Sequence, residues 1–145
     1  MKPSDFFNEN EQKQIEEAIS IAEHDTSGEI RVHVESVCKG DLMDRAAYVF
    51  GLLKMQKTKL RNGVLFYLSI KDHKFAILGD IGINKKVPAN FWEETKILVL
   101  SYFNEKKYAE GLSKGIIMAG EQLKSHFPYQ DDDVNELSDE ISFGK

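Results

Sequence analysis

One cysteine, Cys38, is present in 145 residues, so the chain cannot close an intramolecular disulfide and fits a reducing compartment. No apolar run approaches the roughly 18 residues needed to cross a bilayer. The first residues, Met1-Lys2-Pro3-Ser4-Asp5, lack the apolar stretch of a secretory signal. A soluble cytoplasmic chain is therefore expected. Positive charge is not in excess either. The formal net charge is -5, and the segment from Asp131 to Lys145 holds six acids and one base. Without it, the 24 acidic and 19 basic residues fall to 18 of each. A neutral body excludes the basic stripe of a nucleic-acid surface, and no polybasic cluster marks a membrane surface. Two motif families are missing as well: no EF-hand spacing occurs, and Gly79-x-x-Gly82 lacks the lysine and following helix of a phosphate loop.

What is present reads as one α/β domain over residues 1–129, followed by an acidic, mobile tail over 130–145. Asn8 or Asn10 caps a first helix to about Glu23, with Ile15, Ala18, Ile19 and Ala22 on one face. Thr26-Ser27-Gly28 ends it. Glu29 to Val37 then alternates, with Ile30, Val32 and Val34 inward and Arg31, His33 and Glu35 outward, as in a half-buried strand. A second helix begins near Leu42. Val64 to Ile70 is almost wholly apolar and predicts a central strand covered on both faces. A short turn at Lys71–Lys74 returns Phe75–Gly79 antiparallel to it. A loop from Ile81 to Asn90 is expected to hold a short strand around Ile83. Helices follow over Phe91–Phe103 and Lys107–His126, the latter with Gly111 and Gly115 allowing close approach to a neighbour. Pro128 stops it.

Asp80 stands out. It follows the strand Phe75–Gly79 and sits between two glycines, where the backbone turns and a ligand can approach. A local role is an Asx turn onto the amides of Ile81 and Gly82. The alternative is metal ligation. Asp41 and Asp44 flank the start of the second helix, where capping accounts for them or a divalent ion does. A right-handed crossover makes the first two strands parallel. Asp80 then lies at the edge where Glu29 and Asn62 begin their strands, with Asp41 and Asp44 at the other edge. They meet Asp80 only if the sheet is wound differently or the Ile81–Asn90 loop crosses over; otherwise two sites result, Asp80 with Glu29 and Asp41 with Asp44. Glu29 has its own local reading, as a solvent-facing residue paired with Arg31 or Arg61.

Several pieces together resemble the TPM domain family, from about Phe6 to Pro128. They are Thr26-Ser27-Gly28-Glu29-Ile30, Arg61-Asn62-Gly63-Val64-Leu65, the strand ending in Gly79-Asp80-Ile81-Gly82, and Tyr108-x-x-Gly111-Leu112. The resemblance implies an α/β/α sandwich around a four-stranded mixed sheet. It also implies divalent metal binding, calcium in particular, for some members, and acid phosphatase activity for plant thylakoid members. Many relatives carry an aromatic residue where this chain has Asp80. Leaders and membrane tails are common in the family, and a stand-alone domain is expected here. The function expected is a metal-responsive regulatory or interaction module binding calcium, or else magnesium, through Asp80, Asp41, Asp44 and Glu29. The alternative is a phosphomonoester hydrolase. A monomer with an unidentified protein partner, no nucleic acid and no membrane completes the expectation.

Overall fold

The computed structural model of the chain describes residues 2–129 and 135–144. Four strands form one mixed sheet in the order β3-β2-β1-β4: β1 is Glu29–Glu35, β2 Gly63–Ser69, β3 Lys74–Gly79 and β4 Ser142–Phe143. β1 and β2 run parallel, joined through α2 (Leu42–Leu52), as the crossover argument requires. β2 and β3 form the antiparallel hairpin, and β4 adds parallel to β1 on its other side.

Helices α1 (Glu9–Glu23), α4 (Glu93–Asn104) and α5 (Tyr108–Lys124) cover one face of the sheet. Their apolar faces meet Ile30, Val32, Val34, Val64, Phe66, Leu68 and Ile77 in the larger core. α1 starts from a capping box, with Asn8 Oδ1 accepting from the Glu11 amide at 2.8 Å and Glu11 Oε1 accepting from the Asn8 amide at 3.0 Å. α5 packs against both α1 and α4, and its glycines permit this. A Cβ on Gly115 would stand 2.3 Å from Val99 Cγ2, and one on Gly120 2.7 Å from the Ala22 Cβ.

α2 covers the opposite face. Ala46, Val49 and Phe50 meet Leu65, Tyr67 and Ala76, with Met55 and Leu137 beside them. β2 is buried along its whole length, as its composition predicts. The α/β/α sandwich and its four-stranded mixed sheet are as expected.

Three local expectations change. The segment at Ile83 is a short helix, α3 (Ile81–Asn84), because Asp80 accepts the Ile81 amide and starts a turn instead of a strand. The fourth strand comes from the acidic C-terminal segment. Residues 135–144 of the expected mobile tail lie along β1, and Leu137 and Ile141 are buried there. Those two apolar side chains, four apart among acids, give the segment enough buried surface to dock. Asp131, Asp132 and Asp133 lie outside the described residues. Third, the polar side of β1 is not solvent-facing. Glu29, His33 and Glu35 are all buried, because α2 and residues 135–144 close over it.

Candidate functional site

Strand alternation places Glu29, Arg31, His33 and Glu35 on one face of β1, in register with Gly63, Leu65, Tyr67 and Ser69. A row of four polar side chains thus runs beneath α2 and the C-terminal segment. Its two ends are solved differently.

At the far end, Glu35 is 2% exposed and fully partnered. Arg45, carried by α2, donates Nε and a terminal nitrogen to it at 2.8 and 2.9 Å. Tyr67 donates its hydroxyl, and His33 Nε2 stands 3.3 Å away. Burial alone would push the Glu35 carboxyl up, but the Arg45 guanidinium, Tyr67 and His33 hold it down at about 2. Burial pushes His33 down, so its ring is neutral near pH 7, and Nδ1 meets Ser142 Oγ at 2.9 Å. The arrangement is a saturated ion pair that ties α2, β1, β2 and β4 together.

At the near end, where β1 and β2 begin, the acids have no cationic partner among the described residues. Glu29 is 4% exposed. Its Oε1 accepts the Leu137 amide at 2.6 Å, and its Oε2 is buried with no partner at hydrogen-bonding geometry among the described residues, while the nearby Glu136 amide acts to lower its pKa. The carboxyl of Glu136 lies beside it, itself accepting the Lys59 amide at 3.1 Å. Burial is the main cause that raises Glu29, with Glu136 adding to it, to about 7. Glu23, the last residue of α1, repeats the pattern. Its Oε2 accepts the Ile30 amide at 2.8 Å, and the Asp139 carboxyl faces it. Burial first, then Asp139, pushes Glu23 up to about 9. A cavity of about 130 Å³ opens between Glu23, Gly28, Glu29 and Asn135. None of the ion pairs among the described residues involves these four acids.

Of the four residues expected from the sequence, only Glu29 belongs to this cluster. Asp80 lies at the same edge, its amide bonded to the Gly63 carbonyl at 3.0 Å. Its carboxylate is engaged by Arg61 in a two-pronged pair at 2.8 and 2.9 Å and by the Ile81 amide at 2.7 Å. Asp41 caps α2, accepting the Asp44 amide at 3.0 Å, at the opposite end of the sheet. Asp44 is exposed there. The structure therefore brings neither Asp41 nor Asp44 to Asp80. Among the described residues, no three His, Cys, Asp or Glu side chains are arranged as a ready-made ligand set. The carboxylates come as two pairs, Glu29 with Glu136 and Glu23 with Asp139.

Sequence reasoning missed Glu23, Glu136, Asp139 and the Glu35–Arg45–Tyr67 network. A signal for each was present. An all-apolar β2 needs both faces covered, so the polar face of its neighbour β1 must be covered too. Leu137 and Ile141 mark the acidic segment as one that docks.

Asp80→Asn keeps the cap on Ile81 but weakens the pair with a 40% exposed Arg61 side chain. The expected result is a small drop in the urea midpoint, with no change in response to divalent ions. A response that vanished in this variant would return Asp80 to the site.

Fold and site together define a small α/β/α domain whose polar centre is a row of mostly buried polar side chains on β1, beneath α2 and the C-terminal segment. The chain belongs to the TPM domain family, whose model matches residues 1–122. It is similar over 99% of its length, and of that chain's, to the BA42 protein from the psychrophilic bacterium Bizionia argentinensis, known from an NMR structure, at 45% identity and a TM-score of 0.92. The N-terminal domain of a protein from P. gingivalis shares the fold at 17% identity and a TM-score of 0.69, over 86% of this chain and 80% of that one. No curated protein matches the chain. Among the described residues no helix is long and apolar enough to cross a membrane.

Proposed function

We propose that this domain binds divalent cations at its two carboxylate pairs, Glu29 with Glu136 and Glu23 with Asp139, each completed by other oxygen donors, and serves as a cation-responsive regulatory or interaction module. The observation that carries this reading is Glu29 Oε2, a buried carboxylate oxygen with no partner at hydrogen-bonding geometry among the described residues, beside the carboxyl of Glu136. A buried carboxylate without a partner is costly, and like charges beside it raise that cost. Either a proton or a cation removes it. These groups fit a hard cation: all are oxygen donors, and the cavity beside Glu23 and Glu29 leaves room for water to complete a shell. Calcium suits carboxylates drawn from separate segments better than magnesium, which demands near-octahedral geometry and gives up water reluctantly. Binding displaces the protons that Glu23 and Glu29 hold, so it is favoured by higher pH.

Asp80, Asp41 and Asp44 are not used in this reading, because each already has a structural partner or lies at the other end of the sheet. Phosphomonoester hydrolysis is not favoured by any placed group. Arg45 and Arg61 are committed to Glu35 and Asp80, and Arg31 is half-buried near Glu140.

Thermal unfolding at pH 8 tests the proposal. Millimolar calcium should raise the midpoint progressively, by the equivalent of about 2.7 kcal/mol once the free ion is a hundredfold above Kd. Magnesium should raise it less. A midpoint that stays fixed with both ions would end the reading.

A further inference from the structure

The other end of β2 carries a feature of a different kind. A cavity of about 150 Å³ opens beside Leu68, at the carboxyl end of the strand. Leu100 and Phe103 of α4, Tyr108 of α5, Phe6 ahead of α1, and Ile70 complete its apolar wall. Those five side chains are only half-buried and stand on the margin of the larger core. Three of the rings already touch. Phe6 and Tyr108 lie 5.2 Å apart between centroids at 63°, and Phe103 and Tyr108 lie 5.1 Å apart. Phe103 meets Phe75 at 5.4 Å and Phe75 meets Phe66 at 5.9 Å, both edge to face, so the chain of rings runs on into the core. Among the described residues, no Lys, Arg, Asp or Glu lines the cavity. The Ser69 hydroxyl beside it already donates to Asp72. The other two polar residues, His73 and Asn104, are exposed and so stand at its mouth.

We propose that this cavity binds a small uncharged molecule made of one aromatic ring and one polar group. The size fits, since an apolar cavity of about 150 Å³ takes up a benzene ring and stays dry without one. A ring placed there meets Phe6, Phe103 and Tyr108, which adds edge-to-face attraction to the burial of its carbons. Charge is selected against, because a carboxylate or ammonium group would give up its water with no counter-ion to replace it. A hydroxyl or carbonyl on the ring can point to the mouth, where His73 and Asn104 offer donors and acceptors. The location suits a ligand as well. Small molecules bind preferentially beyond the carboxyl ends of strands in open α/β sheets, and β1 and β2 both end here, at Glu35 and Ser69. The carboxylate pairs lie at the opposite end of β2, so this site stands or falls independently of the cation reading.

A methyl-detected NMR titration of the full chain with benzyl alcohol reads the site. Signals of Leu68, Ile70 and Leu100 should move and saturate with a Kd of about 1 mM or tighter, while Ile15 and Ile83 stay fixed. Cyclohexylmethanol has the same size but no π-face, and should bind about 2- to 10-fold more weakly. Phenylacetate should leave the three methyl signals in place. Leu100→Trp, which sets an indole in the cavity, should abolish the benzyl alcohol shifts of Leu68 and Ile70 and keep a folded amide spectrum. Shifts that grow without saturating, or that appear equally at the exposed Ile21 and Ile97, would overturn the site. Equal affinity for cyclohexylmethanol would overturn its preference for an aromatic ring, and saturable binding of phenylacetate its preference for an uncharged one. The wild-type titrations decide these outcomes without the variant.

Discussion

Arg45→Met is expected to destabilise the domain by about 3–5 kcal/mol, the range seen when one partner of a buried ion pair is removed. Glu35 is the reason. It is 2% exposed and reached by two nitrogens of Arg45, the Tyr67 hydroxyl and the His33 ring. Taking away the guanidinium leaves a buried carboxylate whose only remaining partners are neutral, so it must take up a proton or the strand must open. The network also carries a link to β4 through His33 and Ser142. Urea unfolding at pH 7 measures the loss. Glu35→Met with Arg45→Met should recover most of it, since an apolar pair of similar volume replaces both charges together. A loss below about 1 kcal/mol for the single variant would mean that the pair is no more than a surface contact.

The second large effect is a pH dependence that runs against habit. Glu29 and Glu23 have folded values near 7 and 9 against 4.5 when free. Between 4.5 and 9 the folded chain therefore holds protons that the unfolded chain has released. Stability is complete below 4.5 and falls as pH rises through 7 and then 9. Glu35 acts in the opposite sense. Held at about 2, it contributes stability above 4.5 that disappears as pH drops from 4.5 through 2. Without divalent ions the domain should be most stable near pH 5. Glu29→Gln keeps the acceptor for the Leu137 amide and removes the titrating group. At pH 8 in chelator the variant should be more stable than the wild type by about 1–3 kcal/mol, and at pH 4 equal to it. The gain should be accompanied by a smaller response to calcium. Chemical denaturation across pH checks both statements. Stability that rises steadily from pH 5 to 9 in chelator would show that Glu29 is an ordinary, ionised surface acid.

Much of the fold was legible in the sequence because its elements rest on local rules. Asn8 or Asn10 before the spaced Ile15, Ala18, Ile19 and Ala22 spells the first helix, and the run from Val64 to Ile70 reads as a strand covered on both faces. A right-handed crossover makes β1 and β2 parallel, as found, but the sequence leaves open whether Asp80 meets Asp41 and Asp44, and the observed strand order places them at opposite ends. Long-range facts were not legible. Asp80 looked unpartnered because Arg61, 19 residues earlier, reaches it only through the hairpin geometry. Glu29 meets Glu136 across more than a hundred residues, through a segment whose composition reads as disordered. Net charge hid the point: acids avoid one another in a solvated tail, yet here Leu137 and Ile141 supply the burial that brings them against Glu23 and Glu29. Ile83 misled for a smaller reason, since four residues starting from an Asp cap can form a helical turn as readily as a strand.

Paramagnetic broadening by manganese addresses the central claim most directly, because it locates an ion without assuming its ligands. At substoichiometric manganese and pH 8, amide signals of Glu29, Ile30, Leu137 and their neighbours should broaden first, and excess calcium should restore them. Signals around Asp41, Asp44 and the Glu35–Arg45 pair should stay sharp. Broadening centred on Asp41 and Asp44, or spread evenly over the surface acids, would contradict cation binding at the pairs Glu29 with Glu136 and Glu23 with Asp139.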